Sequence, residues 1–583
     1  MPVGIEGLPE IKPQSDPNLA QLVRLRVQKA CIEAGHCYAN TQLCITGHVD
    51  SGKTSLTANL MKHCGVLQEK SLKEEENRII ARKGEDYKPT QLEIATRSME
   101  KGKEAKDRGM TIEVRAHELP LTLTAVFKVD SAEWNEMIEL LTFLGRSYEI
   151  IDHVDANGNH CKAIRHHDRL IICDAPGHSD FITATSSTIA VADWQHALFP
   201  SSSGSGEQAE DPFIASLNKG STSMGHSRLG VSRGNYMTFV LSKGDTNSSE
   251  GNAEKDAALR RVLAKTMGIK PNKQIVIPSS SKDMKAHNIF TPSDLDCFKY
   301  YKGQEVDLSV KDYRDPSRVY PLKVHIQTAM DLFPYILPQV CVKGTFNNRG
   351  TLIFITDIAS KTNHGVITIG QVLNGVVSVG DIVTSTQNPD CQYRVETIEE
   401  FLKPVQKSPV KAFIGMKLKV MSKNKTQAPR HDLLHASFPT DNIPVTSQYM
   451  EAKMLFFPTD TPTKAKECKL GIEFTMVTVM KATISIVNVF SYKPAKQEEV
   501  KDTPDSPITA WPQSNTLVHG IVKFKQPLNL PHMDQAVYGN QGNFLSSKQV
   551  AGSIKLISHI KDGESKDKPL LAQKSKKKPS TGR

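Results

Sequence analysis

Nine consecutive residues, Gly47-His48-Val49-Asp50-Ser51-Gly52-Lys53-Thr54-Ser55, carry the strongest chemical signal in the chain. They satisfy G-x-x-x-x-G-K-[ST] between an apolar run, Leu43-Cys44-Ile45, and a helix-like stretch from Leu56 to Met61. Strand, loop and helix are the setting this motif needs. The glycines let successive backbone N–H groups and the following helix N-terminus converge on a phosphate. Lys53 is placed to reach the outer phosphates and Thr54 to offer a hydroxyl to Mg²⁺, so the expected ligand is a nucleoside triphosphate. Asp174 ends a second apolar run, Leu170-Ile171-Ile172-Cys173, where a carboxylate would hold Mg²⁺ through water. Gly177 has the backbone freedom to turn its N–H toward a γ-phosphate. His178 stands where it would orient the attacking water. Thr111, in a polar stretch after Arg108-Gly109, is a second Mg²⁺ ligand available only when the γ-phosphate is present, which is order–disorder switching.

These residues need a scaffold, and the pattern around them supplies one. Strand-like runs at 43–45, 170–173, around Leu241 and at 274–277 alternate with helical stretches, each strand ending in a polar loop. That alternation predicts a mostly parallel sheet with ligand loops at the strand ends. Residues 65–107 are dense in Lys and Glu and read as one or two exposed helices laced with i,i+4 pairs. Residues 1–18 are expected to be disordered, and 19–35 carry helical spacing with no readable docking site. Beyond residue 345, short strands punctuated by Gly, Pro and Asn predict two β-barrels. A Pro-rich excursion spans 492–513, and the tail 561–583 holds eight Lys/Arg against three acidic residues.

Composition bounds the rest. A chain of 583 residues exceeds a single core. Its formal charge of +10 suits an anionic partner without selecting one. Ten cysteines without C-x-x-C pairing read as reduced thiols, with Cys44 and Cys173 as core residues. No run approaches the length of a membrane span and the N-terminus lacks an apolar stretch after its first charges, so a cytoplasmic protein without membrane attachment is expected. His160, Cys161, His166 and His167 match no common closed zinc spacing and are read as part of a solvated hairpin with a turn at Asn157-Gly158.

GHVDSGKTS at 47–55, DRGMTIE at 107–113 and DAPGHSDFI at 174–182 together resemble the translational GTPases of the elongation factor 1A / Tu family, nearer its eukaryotic and archaeal branch. The resemblance extends to 288–303 and to GVITIGQVLNGVVSVGDIV at 365–383, and fades beyond 430. It implies a P-loop GTPase domain with a mostly parallel sheet at 39–336, carrying an insertion around 117–165. It implies β-barrels at 346–430 and 431–558, flanked by an N-terminal extension (1–38) and a basic tail (559–583). Carried over by residue, the phosphate site is Gly47, His48, Val49, Asp50, Ser51, Gly52, Lys53, Thr54, Ser55 and Gly177, with Lys53 and His178 catalytic. Thr54, Thr111 and Asp174 fall on the Mg²⁺ side. GTP and GDP are the implied ligands. The base would be read by Ser242, Lys243 and Asp245, backed by Ser280, Ser281 and Lys282.

Three departures from the family stand out. Ser242 occupies the family's Asn position, and a lost hydrogen bond there costs about 1 kcal/mol. Gln371 and Asn543 replace arginines in the barrels. Sixty-two residues separate Thr111 from Asp174, roughly 35 to 40 of them inserted beside the first switch. The resemblance implies a monomer that hydrolyses GTP on the ribosome to deliver aminoacyl-tRNA to the A site, with room for a nucleotide-exchange factor. The alternatives are a termination or rescue GTPase carrying a protein adaptor, and a weakly hydrolysing scaffold.

Overall fold

The computed structural model describes residues 8–35, 37–84, 86–99, 115–154, 158–175, 182–202, 211–218, 221–315, 318–337, 339–341, 350–362, 365–401, 403–421, 432–436, 445–457, 467–477, 481–495, 497–503, 506–512, 515–530, 541–546 and 549–560. The chain divides into two compact units, Met1–Val342 and Lys343–Arg583.

In the first unit, five strands run parallel: Thr41–Gly47 lies between His160–Asp174 and Trp194–Pro200, followed outward by Tyr236–Ser242 and Val276–Pro278. The strand Thr41–Gly47 is buried along its whole length. That is what a strand covered on both faces requires, and it explains the continuous apolar run Leu43-Cys44-Ile45. Cys44 and Cys173 sit directly opposite each other in this core, 0% and 1% exposed. Nine of the ten cysteines, Cys44 and Cys173 among them, are free thiols.

The inserted segment makes the sheet mixed. His160–Asp174 pairs antiparallel with Arg115–Ala125 along one side, and its first half pairs with Tyr148–Val154 on the other. A helix, Ala132–Phe143, starts at Ser131, whose side chain accepts the Trp134 N–H. It buries Trp134, Met137, Leu140 and Leu141 against Ala125 and Ile164 of this ribbon. The strand–helix–hairpin order thus follows the sequence pattern. Asn157 of the expected turn lies outside the described residues, and Gly158 has the left-handed φ of 83° such a turn uses.

The N-terminal extension departs from expectation. Disorder was expected over 1–18, yet Leu8–Glu10 lie against Tyr313, Arg314 and Arg318, where Arg318 holds Glu10 at 2.7 Å and Tyr313 donates to the Pro9 carbonyl. A helix then runs over Pro17–Glu33, capped by Asp16. Leu22 and Leu25 join the inserted helix's cluster. Arg24 carries the polar side of the same contact: Nε meets Asp168 at 2.7 Å, Nη2 donates to Thr41, Nη1 to the Ile336 carbonyl, and the guanidinium lies over Phe333. Burial would raise the Asp168 pKa, but Arg24 and Arg146 hold it far below the usual carboxylate range. Composition pointed to disorder because these anchors lie more than a hundred residues away in sequence.

The Lys/Glu-rich stretch forms two helices, Glu69–Lys83 and Gln91–Met99, joined by Lys83–Glu93 and Tyr87–Glu93 contacts. The second packs on the Lys53–His63 helix and sends Ala95 and Met99 into the main core.

In the second unit, two six-stranded antiparallel rings close. The first runs Ile382–Ser385, Leu433–Ala436, Thr351–Thr362, Gly365–Asn374, Phe413–Val420, Gln392–Glu400 and back to Ile382–Ser385. It takes in Leu433–Ala436, past the boundary expected at 430, because these residues pair with Thr351–Phe354 to shut the barrel. The second runs Glu473–Val477, Gln541–Ser546, Gln549–His559, Val445–Phe456, Thr516–Leu530 and Lys481–Pro494, closing on Glu473–Val477. Closure leaves no open edge in either ring. Leu352, Phe354, Leu373 and Leu433 of the first join the apolar cluster of the second. The Pro-rich excursion returns Trp511 to that cluster, against Phe456.

No helix among the described residues is long and apolar enough to cross a membrane.

Candidate functional site

The loop after Thr41–Gly47 turns sharply because its backbone leaves the ordinary regions. Asp50 has φ 59°, tolerated by a short polar side chain, and Gly52 has φ 89°. A Cβ on Gly47 would stand 2.5 Å from Ser51 Oγ and 2.9 Å from the Leu198 carbonyl oxygen, so only glycine fits there. The helix Lys53–His63 opens at Gly52, which gives it no side-chain cap, and points its N-terminus at the loop. That is the arrangement a phosphate fills.

Lys53 is buried, and its ammonium donates to the His48 carbonyl at 2.6 Å. Burial lowers its pKa to about 8 against the opposing pull of Asp174 and Asp50. Asp174, fully buried at its strand end, therefore lies within electrostatic reach of the lysine. The sequence reading missed Ser223, whose hydroxyl accepts the His48 N–H at 2.8 Å and pins the loop from the Thr222–Arg233 helix. A serine inside an unremarkable helical stretch offers no signal for that role.

Beside the loop a cavity of about 540 Å³ is lined by Gly52, Ser55, Lys243, Asp245, Ser280 and Lys282. Ser242 and Ser281 line it too, so every expected base-side residue converges on one space. The strand Tyr236–Ser242 delivers the first group and the strand Val276–Pro278 the second. Ser242 does not simply lack the family's asparagine contacts: its hydroxyl donates to the Ser51 carbonyl at 2.7 Å, tying the phosphate loop to the base side. Lys243 follows in a left-handed conformation, φ 57°. The Ser280 hydroxyl donates to Asp245 and accepts the Lys282 N–H. Thr90, Gln91 and Leu92, at the start of the second Lys/Glu-region helix, form a wall that composition had suggested only as an exposed helix.

Thr111, Gly177 and His178, the expected γ-phosphate readers, lie outside the described residues. The His/Cys set of the hairpin does not converge on a metal. His166 Nε2 donates to Gln21 Oε1 in the core, while Cys161 and His167 fall on the other face of the strand. Among the described residues no His, Cys, Asp and Glu group is arranged to hold a metal.

The fold and site define a P-loop GTPase-like α/β domain followed by two closed barrels. Residues 39–292 match the family model described as the elongation factor Tu GTP binding domain. Elongation factor 1-alpha of Pyrobaculum islandicum is 24% identical over 423 residues, 72% of this chain and 74% of its own length. That of Aeropyrum pernix is 23% identical over 388 residues, 66% and 68% of the two chains. The solved S. cerevisiae Ski7 GTPase-like domain, bound to GTP, has a TM-score of 0.59 at 12% identity, covering 90% of this chain and 98% of that one. The chain thus carries a GTP-binding domain related to those of translational GTPases.

Proposed function

We propose that the chain hydrolyses GTP in association with the ribosome and carries a protein adaptor, as a termination or rescue GTPase would, in preference to an aminoacyl-tRNA. Gln371 carries the choice of cargo. The residue standing in for the family's arginine is 5% exposed and donates its amide to the Lys411 carbonyl at 3.3 Å, so it presents no cation to a tRNA. The barrel-two position Asn543 lacks the charge as well. The likeness of fold to the Ski7 GTPase-like domain, along nearly all of that chain, supports the same reading. Delivery of aminoacyl-tRNA is the second reading, favoured by the match to elongation factor 1-alpha.

The phosphate end suits GTP: Lys53 meets the β- and γ-phosphates, and the uncapped helix start offers its N–H groups. Asp245 accepts from the N1–H and 2-amino donors of guanine, which adenine does not offer, while the stems of Lys243 and Lys282 flank the base. Mg²⁺, when bound, would draw on Thr54, Asp174 and Thr111 and would neutralise charge developing on the phosphates. The buried carboxylate within electrostatic reach of Lys53 fits such an ion. His178 would position the attacking water. A nucleotide-exchange factor would act on the same site.

Filter binding separates the two cargo readings. The chain with GTP should fail to retain aminoacyl-tRNA, and retention at the affinity of an elongation factor would restore delivery as the function. Purified ribosomes should accelerate GTP hydrolysis. An unchanged rate would remove the ribosomal assignment. The adaptor itself should co-purify with the GTP-locked His178→Ala protein.

A further inference from the structure

The inserted ribbon ends in an open edge. Tyr148–Val154 pairs with His160–Asp174 on one side and, among the described residues, with nothing on the other. Three of its seven side chains are large, apolar and exposed: Tyr148 at 37%, Ile150 at 52% and Val154 at 51%. Sheets protect such edges with proline, lysine or shortness. The sheet's other boundaries follow that rule, since Arg115–Ala125 contains Pro120 and Val276–Pro278 is three residues long. Tyr148–Val154 holds neither Pro nor Lys.

We propose that this strand pairs antiparallel with the same strand of a second copy of the chain, about a two-fold axis through Ile151. Its own residue order argues for that occupant. Directly opposed residues of an antiparallel pair share a face, so the axis must pass through a residue. Centred on Ile150, the register would set Tyr148 against Asp152. Centred on Asp152, it would set two aspartates against each other. Centred on Ile151, it sets Tyr148 against Val154, Glu149 against His153 and Ile151 against its own copy. It leaves one mismatched pair, Ile150 against Asp152, where the Ile150-centred register mismatches both Tyr148 with Asp152 and Glu149 with Ile151. Aromatic–β-branched, carboxylate–imidazole and apolar pairs are the stabilising cross-strand combinations, and the symmetry repeats the first two. Glu149 and Asp152 already pair in-chain with Arg165 and Lys162, yet their side chains stay 58% and 85% exposed, free to face a partner. The contact is isologous, so it closes at two copies. A single seven-residue strand pair is a small interface, so the dimer is correspondingly weak.

Sedimentation velocity of the full chain across a concentration series tests this. The expected result is a monomer–dimer equilibrium. His153→Glu, which sets carboxylates opposite each other twice, should weaken it about fivefold or more. Ile151→Lys, which places two ammonium groups on the axis, should do the same. Combining His153→Glu with Glu149→Lys should restore association by exchanging the charges. Retained GTP binding and an unchanged melting profile show that each variant is folded. Monomers at every concentration would overturn the proposal, as would a dimer indifferent to both single substitutions. An extended segment of another protein occupying the edge, displacing the second copy, would overturn it too.

Discussion

At the scale of single residues, Lys53 is the decisive group and its burial makes its chemistry measurable. Phosphate favours the ammonium form, and the unliganded lysine releases its proton at about 8. Binding therefore takes up a proton above that pH. The nucleotide dissociation constant should be flat below it and rise with pH above it, by up to about tenfold per unit. Lys53→Arg should abolish the slope, and Lys53→Ala should leave no binding in titration calorimetry. Ser242 yields a finer test. Ser242→Ala removes the bond that joins the loop to the base side and should cost about 1 kcal/mol, roughly fivefold in GTP affinity. Preference for GTP over ATP should persist, because the substitution leaves the proposed guanine contact of Asp245 in place. The motif at 47–55 was legible in sequence because its spacing is local. The hydroxyl bridges of Ser223 and Ser280 were not, since each depends on which strand or helix lies beside it.

Among elements, the N-terminal helix is the main revision. Its apolar side completes the cluster of Trp134, Met137 and Leu140, and Arg24 is locked between Asp168, Thr41 and Ile336. Removing Arg24 leaves the buried Asp168 with Arg146 as its remaining cation, so Arg24→Met should destabilise the chain by about 3 kcal/mol, measured by urea unfolding. Asp168 supplies the matching pH dependence. Its folded pKa is depressed, so its stabilisation is present above the ordinary carboxylate range and is lost as pH falls through that range toward the folded value. Asp168→Asn should remove that part of the acid sensitivity. Helical spacing over 19–35 foretold the helix itself, whereas its partner could not be read, because packing across more than a hundred residues leaves no local trace.

For the whole molecule, charge is divided unevenly. Of 73 Lys and Arg and 63 Asp and Glu, 32 and 20 lie beyond Val342, so the basic excess belongs to the barrel unit and its tail. A polyanionic surface such as the ribosome is the partner that excess suits. Pelleting with ribosomes should fall about tenfold or more between 50 and 200 mM salt, through counterion release. Deleting 561–583, with its eight Lys and Arg, should flatten that dependence.

The amino-acid sequence alone determined the phosphate loop, the alternation that builds a parallel sheet, and the barrels' rhythm of short strands and turns. Each is a local pattern, written in spacings of two to nine residues that any environment would read alike. Tertiary structure decided the remainder. It placed Gln91 and Leu92 in the wall of the nucleotide cavity and gave Ser242 a loop carbonyl to hold. It buried Gln371, seated the N-terminal helix on the insertion and, among the described residues, left one strand edge open. These outcomes turn on which distant surfaces meet and exclude water from one another, and one-dimensional spacing carries no record of that.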